Sequence, residues 1–224
     1  MTFNSPSPRV RVSRLPKRAD YSQKTIYGIL DAAFLCHVGF VVDGQPYVIP
    51  TGYGRAGDTL YLHGSAASRM LRTLAEGVDV CATVTLLDGI VLARSAFHHS
   101  MNYRSVVILG RAVPVEGDEE KTAALRAISE HIVRGRWADI RKPTPQELRA
   151  TAVLALPIEE ASAKIRAGPP LDEQEDYALD VWAGILPLAM KTGDPVEDTP
   201  QSGRMRTVPD YVLVYRKTKS APEC

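Results

Sequence analysis

The sequence predicts a mainly β fold, an antiparallel barrel with flanking helices. Alternating apolar and polar residues mark a series of strand candidates, and two pairs of them are joined by Asp-Gly steps, Asp43-Gly44 and Asp88-Gly89. Asp-Gly tolerates the positive φ angles of the tight turns that connect antiparallel strands. The alternation of strands and helices that builds a parallel doubly wound sheet is missing. Successive strands with short connections therefore predict a closed antiparallel barrel.

The first twenty residues are predicted to form an N-terminal arm. Between Arg9 and Lys24 the chain has six basic residues and one acid, Asp20, and prolines interrupt any helix. We expect either a solvated tail or an arm folded over a neighbouring subunit or an anionic ligand. Ser22 then caps a predicted helix, whose apolar residues recur at the spacing of one buried face: Ile26, Ile29, Leu30 and Ala33.

Strands and one short helix are predicted between residues 34 and 113. The strand candidates are 34–42, 45–51, 59–63, 78–85, 90–97 and 104–113. Ser65 is predicted to cap a helix that Gly77 ends, with Ala67, Met70, Leu71 and Leu74 on its apolar face. The segment Gly52-Tyr-Gly54-Arg-Ala-Gly57 has the glycine spacing of a dinucleotide-binding loop, but a strand rather than a helix follows it. We interpret this segment as a hairpin loop.

The rest of the chain is predicted to mix helices with weaker strands. Acids at the start of 119–132 suit the N-terminal end of a helix, and prolines at 143 and 145 open a second, shorter helix. The further expectations are strands at 151–158 and 163–166, a solvated acidic loop at 172–180, a packed apolar run at 181–188, an irregular linker at 191–209 and a last strand at 211–215. The predicted organisation is an arm at 1–20, a barrel domain at 21–190 and a C-terminal extension at 191–224.

The composition excludes several classes of function. The 224 residues are 45% hydrophobic and 24% charged, as in an ordinary globular protein, and the net charge of +1 and 7% aromatic content argue against a nucleic-acid binder. Three cysteines without a CxxC spacing, Cys36, Cys81 and Cys224, argue against a disulfide framework and a zinc ribbon. The chain has no apolar run of membrane-spanning length. We therefore expect a reduced, cytoplasmic protein.

The segment from His63 to Arg69 is the strongest candidate for an anion site. It runs from a strand end through a small polar loop into a helix N-terminus, where free N–H groups and the helix dipole favour negative charge. Arg69 falls in the first helical turn, an unfavourable place for a cation unless an anion is bound. Its guanidinium can hold a phosphate through two parallel hydrogen bonds. The alternative is that Ser65 is only a cap and Arg69 is only solvated.

The polar segment from Phe97 to Ser105 joins two predicted strands. Adjacent strand residues face opposite sides, so His98 and His99 can share a metal only in a loop, and neither an HExxH motif nor a cysteine partner accompanies them. We expect a polar loop at the barrel rim, in which a histidine could donate a proton near neutral pH. Trp182 lies in an apolar run and is expected to pack in the core or at an interface, with stacking on a ligand as the alternative.

Five segments follow one another in the order typical of one protein family, between about residue 20 and residue 190. They are His37-Val-Gly-Phe, Asp43-Gly-Gln-Pro-Tyr-Val-Ile-Pro-Thr-Gly-Tyr53, Leu60-Tyr-Leu-His-Gly-Ser-Ala-Ala-Ser-Arg-Met70, His98-His-Ser-Met-Asn-Tyr-Arg-Ser-Val106 and Val181-Trp-Ala-Gly-Ile-Leu-Pro. As a set, they resemble the pyridoxamine 5′-phosphate oxidase-like proteins with a flavin-binding split barrel, in the branch of the 5-nitroimidazole-resistance proteins.

The resemblance implies a six-stranded antiparallel split barrel that binds FMN at the interface of a homodimer. Ser68 and Arg69 look like the serine-arginine pair that holds the FMN phosphate. The other implied cofactor contacts are Val48, Ile49, Pro50 and Thr51 along the flavin, His63, Gly64 and Ser65 beside the phosphate, Tyr103, Arg104 and Ser105 at the border of the cofactor, and Trp182 from the second subunit.

The resemblance further implies an FMN-dependent oxidoreductase that reduces a nitro group or a similar acceptor. In the oxidases that make pyridoxal phosphate a lysine follows the serine-arginine pair, whereas Met70 stands here, which argues against that reaction. The flavin would carry the chemistry, and His63, His98 and His99 are the candidates for proton delivery, with His98 and His99 as the candidate catalytic residues. Two alternatives stay open: a non-catalytic carrier of a flavin (FMN or FAD) or of haem, and a cofactor-free structural dimer.

Overall fold

The alternating segments of the sequence form one sheet in the computed structural model, which describes residues 7–198 and 206–215. The strands are β1 Ala19–Asp20, β2 Leu35–Val42, β3 Gln45–Ala56, β4 Thr59–Ser65, β5 Asp79–Leu92, β6 Ser100–Arg111, β7 Val113–Pro114, β8 Thr151–Pro157, β9 Glu160–Arg166 and β10 Gly184–Pro187. The helices are α1 Gln23–Ala32, α2 Arg69–Ala75, α3 Asp118–Ile132, α4 Arg136–Asp139, α5 Pro145–Ala150 and α6 Asp210–Leu213. Three 3₁₀ helices lie in connections, at Pro16–Arg18, Ala96–His98 and Gln174–Ala178.

Every pair of neighbouring strands is antiparallel, which confirms the predicted mainly β, antiparallel class. The strand order is β1-β9-β6-β5-β2-β3-β4-β8-β7, and β10 pairs with β5. The hydrogen-bonded ladder is open, since it ends at β1 and β7 instead of closing on itself. The described residues hold ten strands, whereas the resemblance implied a barrel of six; the short strands β1, β7 and β10 account for part of the difference.

Helix α1 begins at its predicted cap. The side chain of Ser22 accepts a hydrogen bond from the backbone N–H of Thr25 at 3.3 Å, and the apolar face of α1 is buried in the core that the sheet surrounds. The buried hydroxyl of Tyr53 on β3 donates to the carbonyl oxygen of Leu30 at 2.6 Å. This bond fixes the C-terminal end of α1 against the middle of β3.

The described part of the N-terminal arm lies along the chain's own sheet. Strand β1 pairs with β9, the guanidinium of Arg9 is 3.3 Å from the carboxylate of Glu160, and Val10 is buried. The backbone N–H of Val12 donates to the hydroxyl of Tyr21 at 2.9 Å. From Ser7 onward the arm is therefore attached to the sheet rather than being a solvated tail.

Only one of the two predicted Asp-Gly turns exists. Asp43 and Gly44 have φ angles of 50° and 79° and connect β2 to β3, as predicted. At Asp88-Gly89 the chain instead continues as β5, with an irregularity in its register against β6. The strand stays extended because β6 and β10 both pair with this region. Gly89 allows β10 to approach, since an added Cβ would lie 3.0 Å from Cγ2 of Ile185.

The predicted hairpin loop at residues 52–57 is mostly strand. β3 extends to Ala56, and only Gly57, with a φ of 56°, and Asp58 form the turn to β4. Gly54 serves a different purpose, because an added Cβ would lie 2.4 Å from Cα of Ile128. Helix α3 therefore packs directly on the backbone of β3 at this glycine.

Two further predictions about local structure are wrong, and a third holds except at one residue. The cap of α2 is Ser68, whose side chain accepts from the backbone N–H of Leu71 at 3.4 Å, whereas Ser65 accepts only from Ala67 in the preceding turn. Residues 211–215 are largely helical, because Pro209 starts α6 and its carbonyl accepts from Val212 and Leu213. The acidic loop is not wholly solvated, since the Asp172 side chain is fully buried beside Arg94.

None of the helices in the described residues is both long enough and apolar enough to span a bilayer.

We predict that Gly54→Ala destabilises the fold by about 3 kcal/mol, the upper end for overpacking, because the new methyl group would meet the backbone of α3. The matched control is Gly52→Ala in the same segment, where the nearest atom to an added Cβ is the carbonyl oxygen of Phe34 at 3.8 Å. Urea unfolding of the three proteins measures the effect. Equal unfolding free energies for Gly54→Ala and Gly52→Ala would contradict the assigned close approach.

Candidate functional site

Part of β3 has an open side. Residues 45–52 pair with β2, but β4 pairs with β3 only from Tyr53 to Ala56. In the described part of the chain, the backbone of 46–52 therefore has no strand partner on the side away from β2. Pro46 and Pro50 suit this position, because proline cannot donate to a ladder and is tolerated on an open strand side. The open side exposes backbone polar groups to a ligand.

The outer face of the sheet beside this open side is exposed and mixed in character. Val48 is 68% exposed, and by strand alternation it shares its face with Pro50 and with His37 on β2. The ladders through β5 to β6 continue this face to Tyr103 and Ser105. Ile49 and Thr51 alternate with these residues, and Ile49 packs against the core.

Arg69 lies at one end of this strand segment. It is the first residue of α2, it is exposed, and its Cζ lies 4.6 Å from the ring centroid of Tyr47 on β3. Tyr47 in turn stacks on Phe40 with the ring centroids 5.6 Å apart. Within the described residues no carboxylate forms an ion pair with Arg69. An unpaired guanidinium beside an open strand fits a phosphate group.

The small residues before Arg69 shape the same turn. Ser65 is exposed and Ser68 is half-buried as the cap of α2. Gly64 is closely covered, since an added Cβ would lie 3.1 Å from Cδ1 of Leu71. The turn from β4 to α2 therefore leaves the Ser65 hydroxyl and the guanidinium of Arg69 accessible.

The predicted cluster Tyr103, Arg104 and Ser105 is divided between the two faces of β6. Tyr103 and Ser105 face outward, while Arg104 faces the opposite side. Two nitrogens of Arg104 donate to the carboxylate of Asp88 at 2.6 and 2.9 Å. The charge of Arg104 is therefore already paired, and only its two neighbours lie on the face that carries Val48.

His63 lies apart from the other predicted contacts, in a cleft of about 480 Å³ that α3 covers. Its Nδ1 is buried without a hydrogen-bond partner, and burial lowers the pKa of this histidine. The cleft also contains Trp137 of α4, which sequence reasoning missed. Trp137 lies in a short segment between Gly135 and Pro143, which is too short to show the hydrophobic periodicity that would have predicted its position.

His98 and His99 follow the end of β5, in and after the 3₁₀ helix Ala96–His98. His98 Nε2 is 3.4 Å from the carboxylate of Glu173, and its ring meets Phe97 edge-on at 5.1 Å, whereas His99 is exposed. Phe97 itself is 89% exposed. Both histidines belong to a surface-exposed connection, as the sequence indicated.

The same end of the molecule holds the ion pair of Arg94 and Asp172. Arg94 donates to the Asp172 carboxylate from its backbone N–H at 3.0 Å and from its side chain at 3.1 Å. Burial acts to raise the pKa of Asp172, but these hydrogen bonds hold that pKa below its ordinary value. Arg94 Cζ also lies 4.8 Å from the ring centroid of Tyr177, so the pair fastens residues 172–177 to the end of β5.

Trp182 does not pack in a core within this chain. It is 68% exposed, and its ring lies against the backbone of Gly184, where an added Cβ would be 2.8 Å away. The adjoining β10 pairs with β5, which leaves Val181 and Leu186 half exposed. The apolar run at 181–188 is thus ordered but largely uncovered in the single chain.

The described residues offer no metal cluster, and the thiol of Cys36 is inaccessible. No group of three or more His, Cys, Asp and Glu side chains in them is arranged to hold a bare metal ion. Cys36 is buried, and burial raises the pKa of its thiol to about 12, so this thiol stays protonated at neutral pH.

Comparison with known proteins gives a consistent result. Residues 22–165 match the family model described as pyridoxamine 5′-phosphate oxidase. No curated protein matches the sequence with significance. Many solved structures do match, and the two described next are similar over most of the chain.

The flavocytochrome Anf3 of Azotobacter vinelandii is 43% identical, with a TM-score of 0.88 over 94% of this chain and 98% of that protein. The FAD- and haem-binding protein of Mycobacterium smegmatis is 38% identical, with a TM-score of 0.83 over 88% of this chain and 96% of that one. A candidate 5-nitroimidazole antibiotic resistance protein of Bacteroides thetaiotaomicron is 28% identical, with a TM-score of 0.55 over 66% of this chain and 86% of that one.

Glu130 holds the connection from α3 to α4 that brings Trp137 into the cleft. Its carboxylate accepts from the backbone N–H groups of Gly135 and Trp137, each at 2.8 Å. The bond from Gly135, together with the bond from Trp137, holds the pKa of Glu130 below its ordinary value.

We predict that Glu130→Ala lowers the free energy of unfolding at pH 7 by about 1–2 kcal/mol, the value for two partly solvated bonds to a charged group. Because the pKa of Glu130 is lowered in the folded state, its contribution is present above the unfolded pKa of about 4.3 and is lost as the pH falls through the folded value. Urea unfolding at pH 7 and pH 3 checks this, with exposed Glu159→Ala as the control. A difference that stays the same at both pH values would contradict the assignment.

Proposed function

The chain belongs to the pyridoxamine 5′-phosphate oxidase family, and from this premise we propose that it is a flavin-dependent oxidoreductase that also binds haem. The observation that carries the flavin assignment is the open side of β3 at residues 46–52 with the unpaired guanidinium of Arg69 at one end. The two relatives that are 43% and 38% identical are a flavocytochrome and an FAD- and haem-binding protein, which supports the pairing of the two cofactors.

Arg69 holds the cofactor phosphate in this proposal. Its guanidinium is accessible, it has no competing carboxylate in the described residues, and the Tyr47 ring beneath it limits the positions that it can take. Ser65 adds a hydroxyl from the same turn, while Ser68 keeps α2 capped. A phosphate here gains the charge-assisted pair that makes a cation in the first turn of α2 favourable.

The remaining contacts orient the ring system of the flavin. Val48 and Pro50 provide an apolar surface, and the open backbone of β3 provides polar groups at its side. Tyr103 adds a hydroxyl from the same outer face, on which the Ser105 hydroxyl already donates to the carbonyl oxygen of Lys164 at 3.3 Å. Arg104 is bound to Asp88 and serves the fold. When bound, the flavin supplies the transfer of electrons between a donor and an acceptor.

The choice between FAD and FMN is based on the relatives, because the described site does not distinguish the two flavins. Arg69 would bind FMN and FAD alike through the first phosphate, since both flavins carry this phosphate at the end of the ribityl chain. The relative that is 38% identical is an FAD protein, so we propose FAD, with the FMN of the family resemblance as the alternative. Titration with both flavins distinguishes them.

The acceptor is proposed to be a nitro group or a similar small electron acceptor. His98 and His99 stay the candidates for proton delivery, since they lie in an exposed connection and no other function engages His99. The second candidate function is a carrier that binds flavin and haem without turnover. Anaerobic mixing of the dithionite-reduced protein with metronidazole separates the two, since only the oxidoreductase is reoxidised faster than free flavin.

A homodimer is proposed because the outer face of the sheet carries uncovered apolar side chains among its polar ones. About half or more of each is exposed in the single chain, as it is for Trp182 just before β10: Leu35, Val41, Val48 and Met101. An exposed apolar surface of this kind marks an interface. Covering it would also enclose the open side of β3 and bring a second Trp182 to the flavin.

We predict that Arg69→Ala weakens flavin binding by about 2–4 kcal/mol, or about 30- to 700-fold, because the desolvated phosphate loses its charge-assisted partner. Isothermal titration of flavin-free protein with FAD and with FMN measures the change. Arg72→Ala is the matched control, since Arg72 is an exposed residue of the same helix. An affinity unchanged from the parent protein would remove Arg69 from the phosphate site.

We predict that light scattering gives twice the chain mass of 24.5 kDa, and that Val41→Glu shifts the protein to the mass of one chain. The reason is that the carboxylate would be buried without a partner in the interface. Val113→Glu on β7 is the control, because Val113 is equally exposed at the far edge of the sheet. A monomer at micromolar concentration with flavin bound would contradict the proposed dimer.

A further inference from the structure

His63 lies in the cleft with both ring nitrogens unengaged. His63 follows the buried Leu62 on β4, and it lies opposite Val153 of the neighbouring strand β8. Nδ1 is buried and lacks a hydrogen-bond partner, and Nε2 makes no hydrogen bond to any described residue. The His63 side chain as a whole is half-buried, but a buried ring nitrogen without a partner is costly, so Nδ1 indicates a missing interaction.

The cleft around His63 has mostly apolar walls, to which Ser129 of α3 adds a hydroxyl, and it carries charged side chains as well. The wall residues come from α3, α4 and the connection to α5: Leu125, Ile128, Ile132, Trp137, Ile140 and Pro143. The ion pair of Arg141 and Glu147 stands at the mouth, with its nitrogen and oxygen 2.5 Å apart. The volume of about 480 Å³ is that of a site for a small molecule or an organic cofactor.

The other four histidines, all within the described residues, have different surroundings. His131 Nε2 is 2.8 Å from the carbonyl oxygen of Ala33, and His98 is close to Glu173. His37 and His99 are exposed on the surface. His63 is therefore the histidine whose free ring faces an apolar cleft.

The chemistry of the cleft selects one class of ligand. Neutral imidazole is a metal ligand, but no further cluster of metal-binding side chains exists in the described residues, so a bare zinc or iron ion would lack its other ligands. Haem brings four ring nitrogens to its iron and needs only an axial ligand from the protein. Its flat apolar ring suits walls of leucine, isoleucine and tryptophan, and its ionised groups can remain at the charged mouth.

We infer that this cleft is the haem site of the protein and that His63 is the axial ligand of the haem iron. The inference rests on the proposed function, which includes haem, and it assigns the position and the ligand. It also corrects the role of His63, which becomes a haem ligand rather than a contact of the flavin phosphate. The turn from His63 to Arg69 then joins the two cofactor sites directly, since only the residues 64–68 lie between them.

The experiment titrates the full-length protein with haemin and follows the absorption spectrum, with flavin content measured in the same samples. His63→Gly should bind haemin more than about 10-fold more weakly, a change on the scale seen when metal-site partners are lost. Added imidazole should restore the parent spectrum, because it replaces the missing ligand. His99→Ala is the matched control and should keep the haem spectrum of the parent.

The outcomes distinguish a failure of the His63 assignment from a failure of the proposed flavin and haem binding. If the parent binds haemin and His63→Gly gives the same spectrum and affinity, the assignment of His63 is overturned while flavin and haem binding stand. If the parent binds flavin but no haemin, the haem site is overturned and the flavin function stands. If the parent binds neither, the proposed function fails as well.

A second variant decides the case in which His63→Gly does not fold. Ser129→Trp places a large side chain into the cleft from the α3 side and leaves His63 in place. It should prevent haemin binding while flavin content and the dimer stay unchanged. Full haemin binding by Ser129→Trp would overturn the assignment of the cleft.

Discussion

The contact between Gly54 and Ile128 is the constraint on which the arrangement of both candidate sites depends. With no side chain at Gly54, α3 lies directly on the backbone of β3 and covers the part of β3 that pairs with β4. The helix ends beyond that contact, and its Glu130 then holds the turn that sends Trp137 back toward β4. A larger residue at position 54 would move the wall of the His63 cleft and the cover of the β3–β4 hairpin together.

The same strand serves two purposes along its length. From Gln45 to Gly52, β3 has one partner strand and keeps its other side open, whereas from Tyr53 onward it is paired on the β4 side and buried beneath α3. The change coincides with Tyr53, whose hydroxyl binds the end of α1. The backbone groups of the open segment are therefore accessible to a ligand, while the adjoining paired segment holds the strand in place.

The arginines differ in whether a carboxylate pairs with them, and the sequence does not reveal this difference. Arg94, Arg104 and Arg141 each have a carboxylate within ion-pair distance and act in the fold. Arg69 has an aromatic ring instead of a carboxylate, so its guanidinium beside the open strand is available to an anionic ligand. His63 stands out in the same way among the histidines, because its ring is left without a partner where burial makes that costly.

Local sequence chemistry by itself determined much of this protein. The antiparallel class, the Asp43-Gly44 turn and the capped helix α1 follow from side-chain period and turn residues, which act over a few neighbouring positions. Tertiary structure decided the rest. Asp88-Gly89 is a strand because two other strands pair with it, and Gly54 is a packing site because of a helix residue more than seventy positions away. The surroundings of His63 and Arg104 could be determined only from the fold. Strand alternation predicts which residues share a face of the sheet, but it does not predict which elements cover that face.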